Sequence, residues 1–265
     1  MTTSAELRQA ACEAALAAGR LIVEMAQKPL EVSLKGFRDT VTAADYAAQK
    51  LIIETIHARY PAHGFVGEED DDATAGEADY AGTVWIIDPV DGTSNYARGV
   101  PLSTVSVAVA TGGVVMAGAI YDPWREELFS AELNGGAFLN EQPIHVSTVD
   151  DMARALVTFD WSRAQENRRR LLNMLENVAF NSKTVRSIGS AAIVMAWIAA
   201  GRVDAYFNLQ LSAWDIAAAA LIISEAGGHV AGLDGTPFDI QNPNTWATAS
   251  NKILHHDLLS LLEAK

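Results

Sequence analysis

Apolar residues near the start of the chain recur at helical spacing. Leu7, Ala11, Ala14, Ala15, Ala18, Leu21, Ile22 and Met25 fall on one stripe, which predicts an amphipathic helix over residues 4–27. The next stretch, LEVSLKGFRDTVT, alternates only loosely and carries Lys35, a solvated lysine on surface preference alone. A second helix is expected from Thr42 to about Arg59, where Thr42 followed three residues later by Asp45 resembles a capping box. Phe65-Val66-Gly67 makes a short strand ending in Glu68 and Glu69, and the aperiodic acidic run after it predicts a mobile surface loop. Val84-Trp85-Ile86-Ile87 is a continuous β-prone run, the pattern of a strand buried on both faces. It is expected to stop at Asp88-Pro89, since proline has no N–H for the ladder.

From Leu102 to Phe138 the chain is β-rich, with hairpins predicted at Gly112-Gly113 and Asn134-Gly135, hence an antiparallel sheet. Near residue 150 the pattern changes. ALVTFD, a helix over 163–178, KTVRSIG, a helix from 190, VDAYF and a helix over 213–226 alternate at βα spacing, and the last closes at Gly227-Gly228. The fold class is therefore mixed α/β. Residues 1–150 form an antiparallel-sheet half with helices, residues 151–265 an α/β half, and the two are expected to act as one unit.

Chemistry concentrates in residues 84–96, VWIIDPVDGTSNY. Asp88 and Asp91 flank a turn whose φ is partly fixed by Pro89, so their carboxylates can converge, and converging carboxylates repel unless a cation sits between them. Gly92-Thr93-Ser94-Asn95 predicts a turn that opens onto backbone N–H groups, where anions such as phosphate dock. Ser187-Ile188-Gly189-Ser190-Ala191-Ala192 starts a helix whose small residues leave N–H groups open to a ligand. Ser212 and Asp215 mimic another capping box. The remaining candidates carry less. Cys12 sits in an alanine-rich stripe without basic neighbours, the six histidines show no ligand spacing, and Arg168-Arg169-Arg170 reads as a solvated face.

Composition removes several function classes. With 265 residues and 49% hydrophobic ones the chain can bury a substantial core. No apolar run is long enough for a membrane span and no signal peptide precedes the first helix, so a cytoplasmic protein is expected. One cysteine excludes an internal disulfide, and a net charge of −14 argues against direct nucleic-acid binding.

DPVDGTSNY behind the WII strand resembles the first signature of the inositol monophosphatase family, and WDIAAAALIISEAGG, about 125 residues on, resembles its second. VTAAD and the GEE before the strand match further family elements. The resemblance implies a layered α/β sandwich, usually a homodimer, that hydrolyses a small phosphorylated substrate with two to three Mg²⁺ ions, Mn²⁺ being possible. Many members are lithium-sensitive. It further implies that Glu68, Asp88, the carbonyl of Val90, Asp91 and Asp215 hold the metal, and that Thr93, oriented by Asp45, works with Glu68 on the attacking water. Four carboxylates and a carbonyl make a hard oxygen site that suits Mg²⁺ or Mn²⁺ over Zn²⁺.

Substrate contacts implied by the same resemblance are Lys35, Asp91, the Gly92 and Thr93 amides, Gly189, Ser190, Ala191 and Asn208. Asn208 is a departure. Seven residues before Asp215, where inositol monophosphatases usually carry a glutamate, this chain has an amide, which hydrogen-bonds but is no carboxylate. Histidinol phosphate, fructose 1,6-bisphosphate and a 3′-phosphoadenosine nucleotide thus stand beside inositol 1-phosphate as substrates. A reading of another class comes from bacterial relatives that act as transcription antitermination factors bound to RNA polymerase.

Overall fold

The computed structural model describes residues 2–29, 32–36, 39–70, 80–241 and 247–263, without the side chains of residues 35, 36, 39 and 247–249. In chain order the first elements are α1 (Ser4–Ala26), β1 (Val32–Gly36), β2 (Asp39–Thr42), α2 (Ala43–His57), β3 (Gly64–Gly67) and β4 (Thr83–Asp91). A short α3 (Thr93–Tyr96) leads to β5 (Thr104–Thr111), β6 (Val114–Asp122), β7 (Glu127–Glu132), β8 (Gly136–Leu139) and β9 (Gln142–Pro143). Then follow β10 (Leu156–Phe159), α4 (Gln165–Asn181), β11 (Thr184–Ser187), α5 (Ala191–Ala199) and β12 (Ala205–Asn208). The chain closes with α6 (Ala213–Glu225), β13 (Gly228–Gly232), β14 (Ala247–Asn251) and α7 (Lys252–Leu262).

The strand period of two stacks these elements into alternating layers. Trp85 and Ile87 of β4, with Ala117, Ala119 and Tyr121 of β6, face the apolar stripes of α1 and α2. Ile86 and Ile120 point the other way, onto α5 and α6. Those two helices are apolar all round, as a helix enclosed on both sides must be, and their far side meets Tyr206 of β12 and Val230 of β13. Ala205 and Phe207, the neighbours of Tyr206, face outward to Leu171, Met174 and Val178 of α4 and Leu254 and Leu258 of α7. The result is a five-layer α-β-α-β-α stack. Among the described residues no helix is long and apolar enough to cross a membrane.

The first sheet has the order β3-β4-β5-β6-β7-β8-β9, and both predicted hairpins are present. It is not wholly antiparallel, because β3 runs parallel to β4; the long connection between them permits that direction. The second sheet, β11-β10-β12-β14-β13, is parallel through β11, β10 and β12 and antiparallel at β14 and β13. One boundary is corrected. β4 does not stop at Asp88-Pro89 but runs on to Asp91 through an irregularity between Asp88, opposite Ser106, and Asp91, opposite Thr104. Three steps on one strand oppose two on the other, so Pro89 lies in a bulge, where its missing N–H breaks no regular rung. The acidic segment 71–79 predicted as a loop lies outside the described residues.

Cys12 is buried in the first core and burial pushes its thiol up to about 11, consistent with packing alone. Helix α6 packs tightly on the sheet at Gly118 of β6, where a Cβ would sit 2.9 Å from the Ala218 Cα. Gly118→Val is therefore expected to force α6 off the sheet and lower stability by about 1–3 kcal/mol, read as a lower urea midpoint, with Gly118→Ala milder. An unchanged midpoint for the valine variant would show that this approach tolerates bulk.

Candidate active site

Strand ends and helix starts from both sheets meet around one cavity of about 510 Å³. Glu68 follows β3, Asp88 and Asp91 end β4, and Asp215 lies in the first turn of α6. Gly92 has a φ of +89°, and a Cβ there would stand 2.7 Å from the Leu102 carbonyl oxygen, so only glycine turns the chain from β4 into α3 at this point. Glu68, Asp88, Val90, Asp91, Gly92, Thr93, Gly189, Ser190, Ala191, Asn208 and Asp215 all line the cavity. Of the remaining expected residues, Asp45 lies behind Thr93, while the side chain of Lys35 is outside the described residues.

Carboxylate oxygens of Asp88, Asp91 and Asp215 lie within 4.8 Å of one another. Burial, then repulsion from Glu68 and Asp91, holds Asp88 well above the ordinary carboxylate range. Burial pushes Asp215 up to about 8, with Glu68 adding to the shift. Asp91 reaches only about 6, because hydrogen bonds oppose its burial. Those bonds come from the Ser190 hydroxyl, the Ala191 N–H (3.2 Å) and the Ala192 N–H (2.9 Å) at the start of α5. The expectation of open amides at this helix start is thereby corrected: Asp91 takes two of them. The Gly189 and Ile188 N–H groups are engaged too, by Asp160 at 2.6 and 3.2 Å.

Both capping boxes are present, and one does more than cap. Asp45 accepts from the Thr42 N–H (2.9 Å) and hydroxyl (2.5 Å), and its other oxygen accepts from the Thr93 hydroxyl at 3.1 Å. The Val90 carbonyl stands 3.0 Å from the same hydroxyl, whose single proton serves one acceptor at a time. At α6 the Ser212 N–H donates to Asp215 at 2.6 Å.

The far wall holds residues that the sequence reading passed over. Asp160, Trp161, Ser162, Arg163, Arg168 and Gln210 line the cavity. Asp160 accepts from Tyr206, Asn208 donates to the Tyr206 hydroxyl at 2.9 Å, and the Asn208 oxygen accepts the Gln210 N–H. Arg168 is not part of a solvated face: its guanidinium lies over Trp161 and its Nε donates to the Ser162 carbonyl. A signal for this wall existed. Ser187, Asp160 and Asn208 stand at the carboxyl ends of β11, β10 and β12, the edge where open α/β sheets bind ligands.

Three closely spaced acids with raised pKa values, next to Glu68, fit a hard divalent cation, since a cation would relieve the repulsion that raises them. Glu68 itself lies 3.7 Å from the Arg163 guanidinium.

The model of the inositol monophosphatase family matches residues 3–265. An inositol-1-monophosphatase of Mesorhizobium japonicum is 37% identical over 235 residues, 88% of this chain and 86% of that protein. A Nus factor SuhB of Pasteurella multocida is 37% identical over 228 residues, 85% of this chain and 84% of its own. The crystal structure of the extragenic suppressor protein suhB from Bartonella henselae superposes with a TM-score of 0.90 at 32% identity, covering 97% of this chain and 98% of that one. Fold, acidic cluster and whole-length similarity agree: the chain belongs to the inositol monophosphatase family of metal-dependent phosphomonoester hydrolases.

Proposed function

We propose that the protein is a Mg²⁺-dependent phosphatase of small polyol or sugar phosphates, converting a monoester and water into the free alcohol and inorganic phosphate. The observation that carries this reading is the convergence of buried Asp88 and Asp91 with half-buried Asp215 beside the Asp45–Thr93 pair. Glu68, Asp88, the Val90 carbonyl, Asp91 and Asp215 would hold two to three ions, with Mn²⁺ able to replace Mg²⁺. Bound there, the ions supply the positive charge that acidifies a water and steadies the leaving oxygen.

The chain's own residues do the positioning. Asp45 holds the Thr93 proton, which leaves the hydroxyl oxygen to accept a hydrogen bond from the attacking water and so orient it. Glu68, at the same cavity, takes the proton that the water gives up as it attacks phosphorus. The Gly92 and Thr93 amides receive phosphate oxygens. Gly189, Ser190, Ala191 and Asn208 shape the leaving-group side. Because the Gly189 and Ala191 amides are bonded inward, that shaping uses their surfaces. A second reading, RNA polymerase binding, draws on the relative named Nus factor SuhB; recovery of polymerase subunits with the tagged protein would favour it.

Asp88→Asn should lower phosphate release by at least about a hundredfold, since even indirect disturbance of metal ligands has effects approaching that size. Its urea midpoint should stay level or rise, because one charge leaves the cluster. Full activity in this variant would sink the assignment.

The acidic cluster also sets a pH dependence. Asp91, at about 6, and Asp215, at about 8, sit above the ordinary value of 3.8 in the folded protein. The folded state then binds more protons than the unfolded chain between pH 4 and 8, so the metal-free protein loses stability as pH rises through that window. Magnesium should restore it most where the acids are charged. Melting curves in EDTA and in magnesium should separate more at pH 8 than at pH 5; a constant gap would contradict the linkage.

A further inference from the structure

Trp161 is a large apolar side chain that stays 42% exposed at the wall of the cavity, which Val90, Leu211 and Trp214 line as well. It is also held in place. Its ring meets Phe159 edge-on, centroids 5.4 Å apart at 77°, and the Arg168 guanidinium lies 5.4 Å from its centroid. Arg168 is fixed in turn by its bond of 2.7 Å to the Ser162 carbonyl. An indole with its orientation already set loses little freedom when something stacks on it, so its surface is available at low entropic cost.

The polar groups beside it are turned inward. Asp160 accepts from the Ile188 and Gly189 amides and the Ser187 and Tyr206 hydroxyls. The Asn208 amide is engaged at both ends. The Asp160 carboxylate and the Asn208 amide of this wall are thus committed within the protein, whereas Trp161 offers a flat π surface. Arg163 and Arg168, which line the same cavity, disfavour a leaving group that carries an ammonium.

We propose that Trp161 is a specificity-determining platform on which a planar heteroaromatic ring of the leaving group stacks. The substrate is then a sugar phosphate bearing a base, with the chemistry of a nucleoside monophosphate esterified on its ribose. This rests on the phosphatase reading above and narrows its substrate class.

Adenosine 3′-monophosphate and glycerol 2-phosphate, which lacks a ring, separate the possibilities. Trp161→Ala should lower kcat/KM for the nucleotide about ten- to a hundredfold, the range of base–aromatic stacking, mainly through KM. Hydrolysis of glycerol 2-phosphate should be unchanged, and Trp161→Phe, which keeps the packing on Phe159, should recover most of the loss. Equal losses on both esters, or none on either, would overturn the proposal and leave Trp161 as packing. If the wild-type protein hydrolyses neither ester, the phosphatase reading fails on its own. Quenching of tryptophan emission by adenosine, lost in Trp161→Phe, still decides the platform, and its absence in the wild-type protein would reject it.

Discussion

Asp91 joins the two large sheets through a single carboxylate. It ends β4 in the first sheet, yet its oxygens accept the Ser190 hydroxyl and the first amides of α5, which packs against the second. The bonds from Ser190, Ala192 and Ala191 favour its charged form, which is one reason Asp91 is raised less than Asp215, its neighbour in the cluster. The same group therefore aligns α5, fixes one wall of the cavity and contributes to the cation site. If that charge moved, the helix start and the acidic cluster would come apart together.

Around this link the protein concentrates negative charge where water is scarce and relieves it only in part. Asp45 is compensated by three hydroxyl and amide donors and Asp160 by four. Asp88 accepts a bond from the Val90 N–H, but faces the charge of four other acids, Glu68, Asp91, Asp215 and Asp45. Acids with a structural task are satisfied by the protein, whereas those left in mutual repulsion mark the place for a cation.

Much of this was legible in the letters because it is local. VWIIDPVDGTSNY carries the strand, the two acids and the turn within thirteen residues, and each capping box spans one helical turn, while the resemblance to the family is what tied Asp45 and Asp215 to Asp88, Asp91 and Thr93. What escaped depends on strand order and distant pairing. Asp160 and Trp161 matter because β10 lies between β11 and β12, and periodicity carries no record of neighbours within a sheet. The amides of Ala191 and Ala192 looked open because their partner lies about 100 positions earlier. Arg168 looked solvated because its triplet is charged, yet its contacts are with a ring and a carbonyl seven and six residues back.

The bulge at Pro89 settles a question of parity. In a regular strand, residues three apart point to opposite faces, so Asp88 and Asp91 would be separated by the sheet itself. The extra residue between them reverses that parity and turns both side chains toward the same cavity. A proline inside the bulge makes the uninterrupted ladder the less favourable alternative, since it has no N–H to complete it. The spacing of the two acids is thus encoded as an offset in strand counting, and a chain shortened by one residue here would keep its sheet while scattering its charges.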